Sequence, residues 1–186
     1  ARAYIAKYLY IKDRVSQTLR NILRQGVSLE HLLLELLFNV EVMRSIFMSD
    51  IDKIEVTICC LTRRGKEYVV RYINPITIYR SVQSEELIRD IFGEPHLFYR
   101  TISEFLNDWL ILSVLSSLHK KTPEPEASNI LSAIKSLYDF MVNGNPLGWY
   151  NFVRELNNAF NKTEKKEHRL TYAYWMRRLS NLRLRG

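Results

Sequence analysis

Few residues in this chain have the types and spacing that chemistry demands. The four histidines, His31, His96, His119 and His168, are scattered. His31 and Glu35 are four apart and share a face if the segment is helical. Such a pair can begin a metal site, but no obvious third ligand accompanies it. Glu104 and Asp108 have the same spacing. Paired carboxylates can do acid–base work or hold the metal of a nuclease. They fall in the first half of a strongly apolar segment, where acids also complement a helix N-terminus. Cys59 and Cys60 are adjacent. On a strand they point to opposite faces, which suits two small hydrophobes better than a disulfide. Glycine-rich phosphate loops and the GxSxG, HExxH and CxxC patterns are absent from the sequence. No catalytic set, metal site or cofactor is expected.

The cations carry more information. The net charge is +7, and basic residues gather at the two ends. Residues 1–25 hold six basic side chains and one acid; residues 162–186 hold eight and two; the middle is net acidic. Arginine outnumbers lysine, 17 to 10, and its planar fork meets phosphate oxygens in pairs. Segregated charge of this kind suits a polyanion partner, set against the plainer reading of a solvated basic surface. Candidate phosphate contacts are Arg2, Lys7, Lys12, Arg14, Arg20 and Arg24 at one end, and Arg169, Arg177, Arg178, Arg183 and Arg185 at the other. Asn and Gln are thin beside them, so binding without sequence readout is expected. Arg63-Arg64 in a turn could meet phosphate or simply keep that turn soluble.

Elements that would position these side chains follow from periodicity. Tyr4, Tyr8, Ile11, Val15, Leu19 and Ile22 form one helical stripe over 3–25, stopped by Gly26. Ser28 caps a second helix to about 48, with Leu29, Leu32, Leu33, Leu36, Leu37, Val40, Met43 and Phe47 on its apolar face. Alternation at Ile54, Val56 and Ile58 then predicts a β-hairpin, 53–61 with 66–73, ended by Asn74-Pro75, and a third short strand at 76–79. Helices are expected at 84–92, 100–119, 128–142, 147–160 and 164–184, with a proline-bearing loop at 120–127. The last has Tyr172, Trp175, Met176, Leu179 and Leu182 on one face, Arg177, Arg178 and Arg185 on the other, and Arg169 at the edge. The longest uncharged apolar run, about 109–118, is too short to span a bilayer. Nothing reads as a signal peptide or a cysteine framework, so the Asn161-Lys162-Thr163 sequon is set aside.

The fold expected is mainly α, with a basic N-terminal helix-turn-helix arm (1–48) and a helical body (49–186) that carries the β-hairpin at 53–73 and the basic C-terminal helix. In layout, size and charge this resembles the coat proteins of filamentous and rod-shaped archaeal viruses, through 3–25, the 26–28 turn, 29–48 and the helices from 100 onward. The resemblance implies an arm laid on linear double-stranded DNA in an A-like form, a bundle facing outward, and pairing of related subunits in a virion. By position it gives the DNA-facing role to Arg2, Lys7, Lys12, Arg14, Arg20 and Arg24. The hairpin departs from that all-helical pattern.

The expectation is therefore a non-enzymatic protein that coats double-stranded DNA through charge and assembles as a homo-oligomer or with a related subunit. Its rivals are a cytoplasmic DNA- or RNA-binding regulator, a helical scaffold without nucleic acid, and a nuclease built on Glu104 and Asp108.

Overall fold

The structure is a computed structural model that describes residues 36, 40, 43, 44, 53–64, 66–79 and 82–183; for 53–64, 67–79, 82 and 183 it describes the backbone. The first expected helix, 3–25, lies outside the described residues, as does most of the second. Residues 36, 40, 43 and 44 are helical. Leu36 and Val40 are completely buried in the core, and Met43 packs against it. The expected arm thus contributes to the same core as the body at these positions.

Two strands, β1 (Lys53–Arg64) and β2 (Glu67–Tyr79), form an antiparallel ladder with Lys66 in the turn between them. The expectation broke the chain at Asn74-Pro75; β2 instead continues to Tyr79. Val56 faces Ile76, whereas Ile58 faces Ile73, so Asn74 and Pro75 together oppose Thr57. A bulge is where a ladder tolerates a proline, which has no N–H to give.

Six helices follow: α1 (Val82–Phe92), α2 (Pro95–Leu106), α3 (Trp109–Ser116), α4 (Ala127–Met141), α5 (Pro146–Lys162) and α6 (Lys166–Arg183). A short 3-10 turn, Ser117–His119, ends α3. The architecture is mainly helical. One expectation is corrected here, since 100–119 is not one helix. Asp108 takes an extended conformation (φ −64°, ψ 121°) and its carboxylate accepts the Leu110 N–H at 2.9 Å, starting a new helix. Periodicity missed the break because apolar residues continue on both sides of it.

α4 and α5 run antiparallel. Asn129, early in α4, donates to Glu155 in the middle of α5 at 3.0 Å, while Gly148, at the start of α5, lies against Ser136 and Phe140 late in α4. The turn between them is built by Asp139, whose carboxylate accepts from the Asn143 and Asn145 amides at 2.9 and 2.6 Å; Asn145 then caps α5 by accepting the Leu147 N–H. The core is rich in rings. Phe92 stacks on Phe98 at 4.7 Å and meets Trp149 edge-on at 4.7 Å. Trp149 leads through Phe152 to Phe105, which meets Trp175 edge-on at 5.3 Å. Such pairs contribute about 0.5–1.5 kcal/mol each beyond burial.

Two expected outcomes follow from these contacts. A Cβ at Gly148 would stand 2.5 Å from the Ser136 carbonyl oxygen and 2.7 Å from the Phe140 nitrogen, both backbone atoms. Gly148→Ala should therefore cost about 1–3 kcal/mol of stability in urea unfolding; an unchanged midpoint would contradict this close approach. Hydrogen bonds from Asn143 and Asn145 hold the Asp139 carboxyl below its ordinary value of 3.8. A depressed folded value means stability present above pH 3.8 and lost as pH falls through the folded value. Melting profiles of Asp139→Asn should lack this acid limb relative to the parent.

Candidate nucleic-acid interface

The C-terminal candidates lie on α6, whose rotation decides which of them reach solvent. His168, Tyr172, Trp175, Leu179 and Leu182 are buried at successive steps of four, three, four and three. Met176, expected among them, is half-buried. His168 belongs to the buried stripe and was missed in the sequence reading; it lies one helical step before Tyr172, which was the available signal.

Two carboxylates of the body fix this rotation. Asp108 accepts the indole N–H of Trp175 at 2.6 Å with one oxygen while its other oxygen caps α3. Glu126, with no exposed surface, offers Oε1 to the Thr163 hydroxyl at 3.1 Å, His168 Nδ1 at 2.8 Å and the Tyr172 hydroxyl at 3.4 Å. Its Oε2 is buried with no partner among the described residues. Burial first, and Glu126 second, push the Tyr172 hydroxyl far above its ordinary value, so Tyr172 remains a neutral donor. A Glu–His pair can serve acid–base chemistry, but Glu126 and His168 are shut away from solvent beneath α6. Their evident work is to join the loop before α4, the α5–α6 junction and α6 itself.

The expected placement of Glu104 and Asp108 in one helix is corrected. Glu104 and Asp108 lie in different elements. Glu104 pairs with Arg178 at 2.6 Å, and Asp108 serves Trp175 and Leu110. His31 and Glu35 lie outside the described residues. Cys59 and Cys60 are in β1, paired in register with Tyr72 and Arg71. Among the described residues, no group of three His, Cys, Asp or Glu side chains is placed to hold a metal ion, and no helix is long and apolar enough to cross a membrane.

The basic candidates separate into three groups. Arg2, Lys7, Lys12, Arg14, Arg20, Arg24 and Arg185 lie outside the described residues, and Arg183 is described as backbone at the end of α6. Arg178 is engaged within the protein. Besides its ion pair with Glu104, its guanidinium lies 4.9 Å over Trp175 and 5.8 Å over Tyr174 and donates to the Tyr174 hydroxyl. Grouping it with Arg177 on the solvent face is corrected: Arg178 is three residues after Trp175 and so flanks the buried stripe. Arg177 and Arg169 are exposed. Arg169 leans over Phe160 at 5.6 Å and donates to the Thr163 carbonyl at 3.1 Å, covering the end of α5. Lys165 pairs with Glu124 at 2.8 Å; this holds the Glu124 carboxyl below its ordinary value and Lys165 above its own. Lys162 and Lys166 are exposed. Exposed apolar groups also occur, Leu170 and Tyr174 among the cations of α6 and Leu147 and Tyr150 near the start of α5. The sequence reading did not single them out, because apolar residues off a buried stripe carry no periodic signal.

No family model matches the chain. No solved structure matches it. It is similar to an uncharacterized protein of Archaeoglobus fulgidus, with 36% identity over 156 residues. The match takes in 84% of this chain but only 40% of that protein, so the chain spans about two fifths of the relative's length.

Removing Glu126 should show what the buried cluster holds. Glu126→Ala leaves the hydroxyls of Thr163 and Tyr172 and the His168 ring without their acceptor, and should cost about 3–5 kcal/mol. Unfolding monitored by tryptophan fluorescence checks this. A loss under ~0.5 kcal/mol, as for an ordinary surface change, would contradict it.

Proposed function

We propose that this is a non-catalytic helical protein that binds double-stranded DNA without sequence preference, through phosphate contacts from its basic ends. The observation that carries the reading is charge segregation: basic residues cluster in 1–25 and 162–186 around an acidic middle. On α6, Lys166, Arg169 and Arg177 are exposed. Duplex DNA presents dense phosphate charge, and cations laid along it release condensed counterions without reading bases. The finer reading assigns an N-terminal helix-turn-helix arm (1–48) to the duplex, beside a helical bundle with its hairpin. It makes the protein the coat subunit of a helical virion, self-associating or pairing with a related subunit. Exposed Leu147, Leu170 and Tyr174 support lateral packing of that kind.

A second reading is favoured by the longer archaeal relative. In it, the chain is a nucleic-acid-binding part of a cellular protein and does not form filaments. Electron microscopy of the protein with linear duplex separates the two: continuous nucleoprotein filaments support the coat, and discrete particles support the second reading.

DNA affinity should fall steeply with salt, with a log–log slope of about −0.9 for each phosphate contacted. Reversing Arg169 and Arg177 to Glu should flatten that slope and weaken binding equally for unrelated duplex sequences. Fluorescence anisotropy across a salt series measures both. A slope near zero, or strong preference for one sequence in the parent protein, would contradict the proposal.

A further inference from the structure

Between α5 and α6 runs a groove of about 410 Å³. That volume falls within the range of sites that hold small planar ligands. Trp149, Met176 and Leu179 form its apolar floor, and Trp149 is itself locked into the ring cluster against Phe92 and Phe98. Tyr150, Arg154 and Asn157 stand at its rim. Tyr150 is 65% exposed, so its ring is open to a second flat group. The Arg154 side chain is 55% exposed, and its ion pair with Glu155 is long, at 3.8 Å from Nε. A charge-assisted bond is about 1 Å shorter than this, so the pair is loose and the guanidinium is open to another anion. Asn157 is exposed and carries both an amide donor and an acceptor.

The geometry points to this groove as the seat of one unstacked base of a single-stranded nucleic acid. Tyr150 would stack on the base, Asn157 would meet its polar edge and Arg154 its phosphate. The assignment rests on the nucleic-acid reading above and adds a strand class to it, because charge along α6 follows any phosphate backbone, whereas a base can reach a groove between two helices only after leaving its duplex. Charge and polarity choose the occupant. An apolar helix of a protein partner would cover Arg154 and Asn157 without bonding them, which is costly. A base presents apolar faces to the floor, hydrogen-bonding groups to the amide and an anion to the guanidinium. Aromatic stacking of this kind is sequence-tolerant and strong enough to matter, since alanine at such a ring weakens binding by about tenfold or more.

The test follows the Met176 methyl resonance of the full chain, assigned with Met176→Leu, during titration with oligothymidylate. In parallel, affinities are measured for oligothymidylate, thymidine monophosphate and a blunt duplex. The inference expects a saturable Met176 shift with oligothymidylate. It also expects Tyr150→Ala and Arg154→Gln to weaken single-strand binding by about tenfold and to leave duplex affinity unchanged. Because both side chains are mostly exposed, neither variant should lose the fold, which circular dichroism verifies. A Met176 methyl that does not move, or variants that weaken strand and duplex alike, overturns the groove assignment. Thymidine monophosphate binding as tightly as the oligonucleotide overturns the strand and leaves a small-molecule pocket. Intact duplex binding with a silent groove removes this inference alone; no binding to either nucleic acid removes the reading beneath it as well.

Discussion

The placement of α6 depends on two carboxylates that the body extends to it. Glu126 gathers the Thr163 and Tyr172 hydroxyls and the His168 ring onto one oxygen, and Asp108 takes the Trp175 indole N–H. Buried donors that lose their acceptor are costly, so these bonds favour the observed rotation of the helix. Apolar burial alone is less selective. Half-buried Met176 widens the apolar face of α6 beyond its buried stripe. Polar bonds with defined directions remove this freedom.

Once the rotation is set, the charges sort themselves. Arg178 flanks the buried stripe and is drawn back to Glu104 and the Trp175 ring, and Lys165 is drawn to Glu124. Both acids belong to the body, so part of the basic C-terminal segment is neutralised by the acidic middle of the chain. Among the described side chains of α6, the exposed cations are Lys166, Arg169 and Arg177. The charge available to a polyanion is therefore smaller than the sequence count suggests, and it lies on one face beside Leu170 and Tyr174. Glu104 and Asp108, whose spacing suited acid–base work, are engaged with Arg178, Trp175 and the start of α3.

How much of this was legible in the sequence depended on the kind of signal. Helices α1, α4, α5 and α6 stood out because amphipathic periodicity coincides with clear stops: Gly93 after α1, the Asn143–Pro146 break and the cap at Asn145. The division between α2 and α3 was hidden, since Asn107-Asp108 interrupts the backbone while apolar residues continue through it. Glu126 was read as part of a surface loop, because a glutamate beside two prolines gives no sign of burial. Its partners are 37, 42 and 46 residues away, beyond the reach of any local pattern. For Arg178 the local spacing from Trp175 was the available signal, whereas its ion-pair partner Glu104, far away in sequence, was beyond any local pattern. The groove between α5 and α6 was invisible for the complementary reason, since it consists of space between two helices and not of a motif on either.

The most direct check on the interface is lysine acetylation of the folded protein, with and without linear duplex DNA at low salt, quantified by mass spectrometry. Lys166, exposed beside the α6 cations, should be shielded by DNA, while Lys135, exposed on α4, should label at the same rate in both samples. Equal labelling of Lys166 with and without DNA, at concentrations where the duplex is in excess, would show that α6 faces no polyanion and would contradict the account.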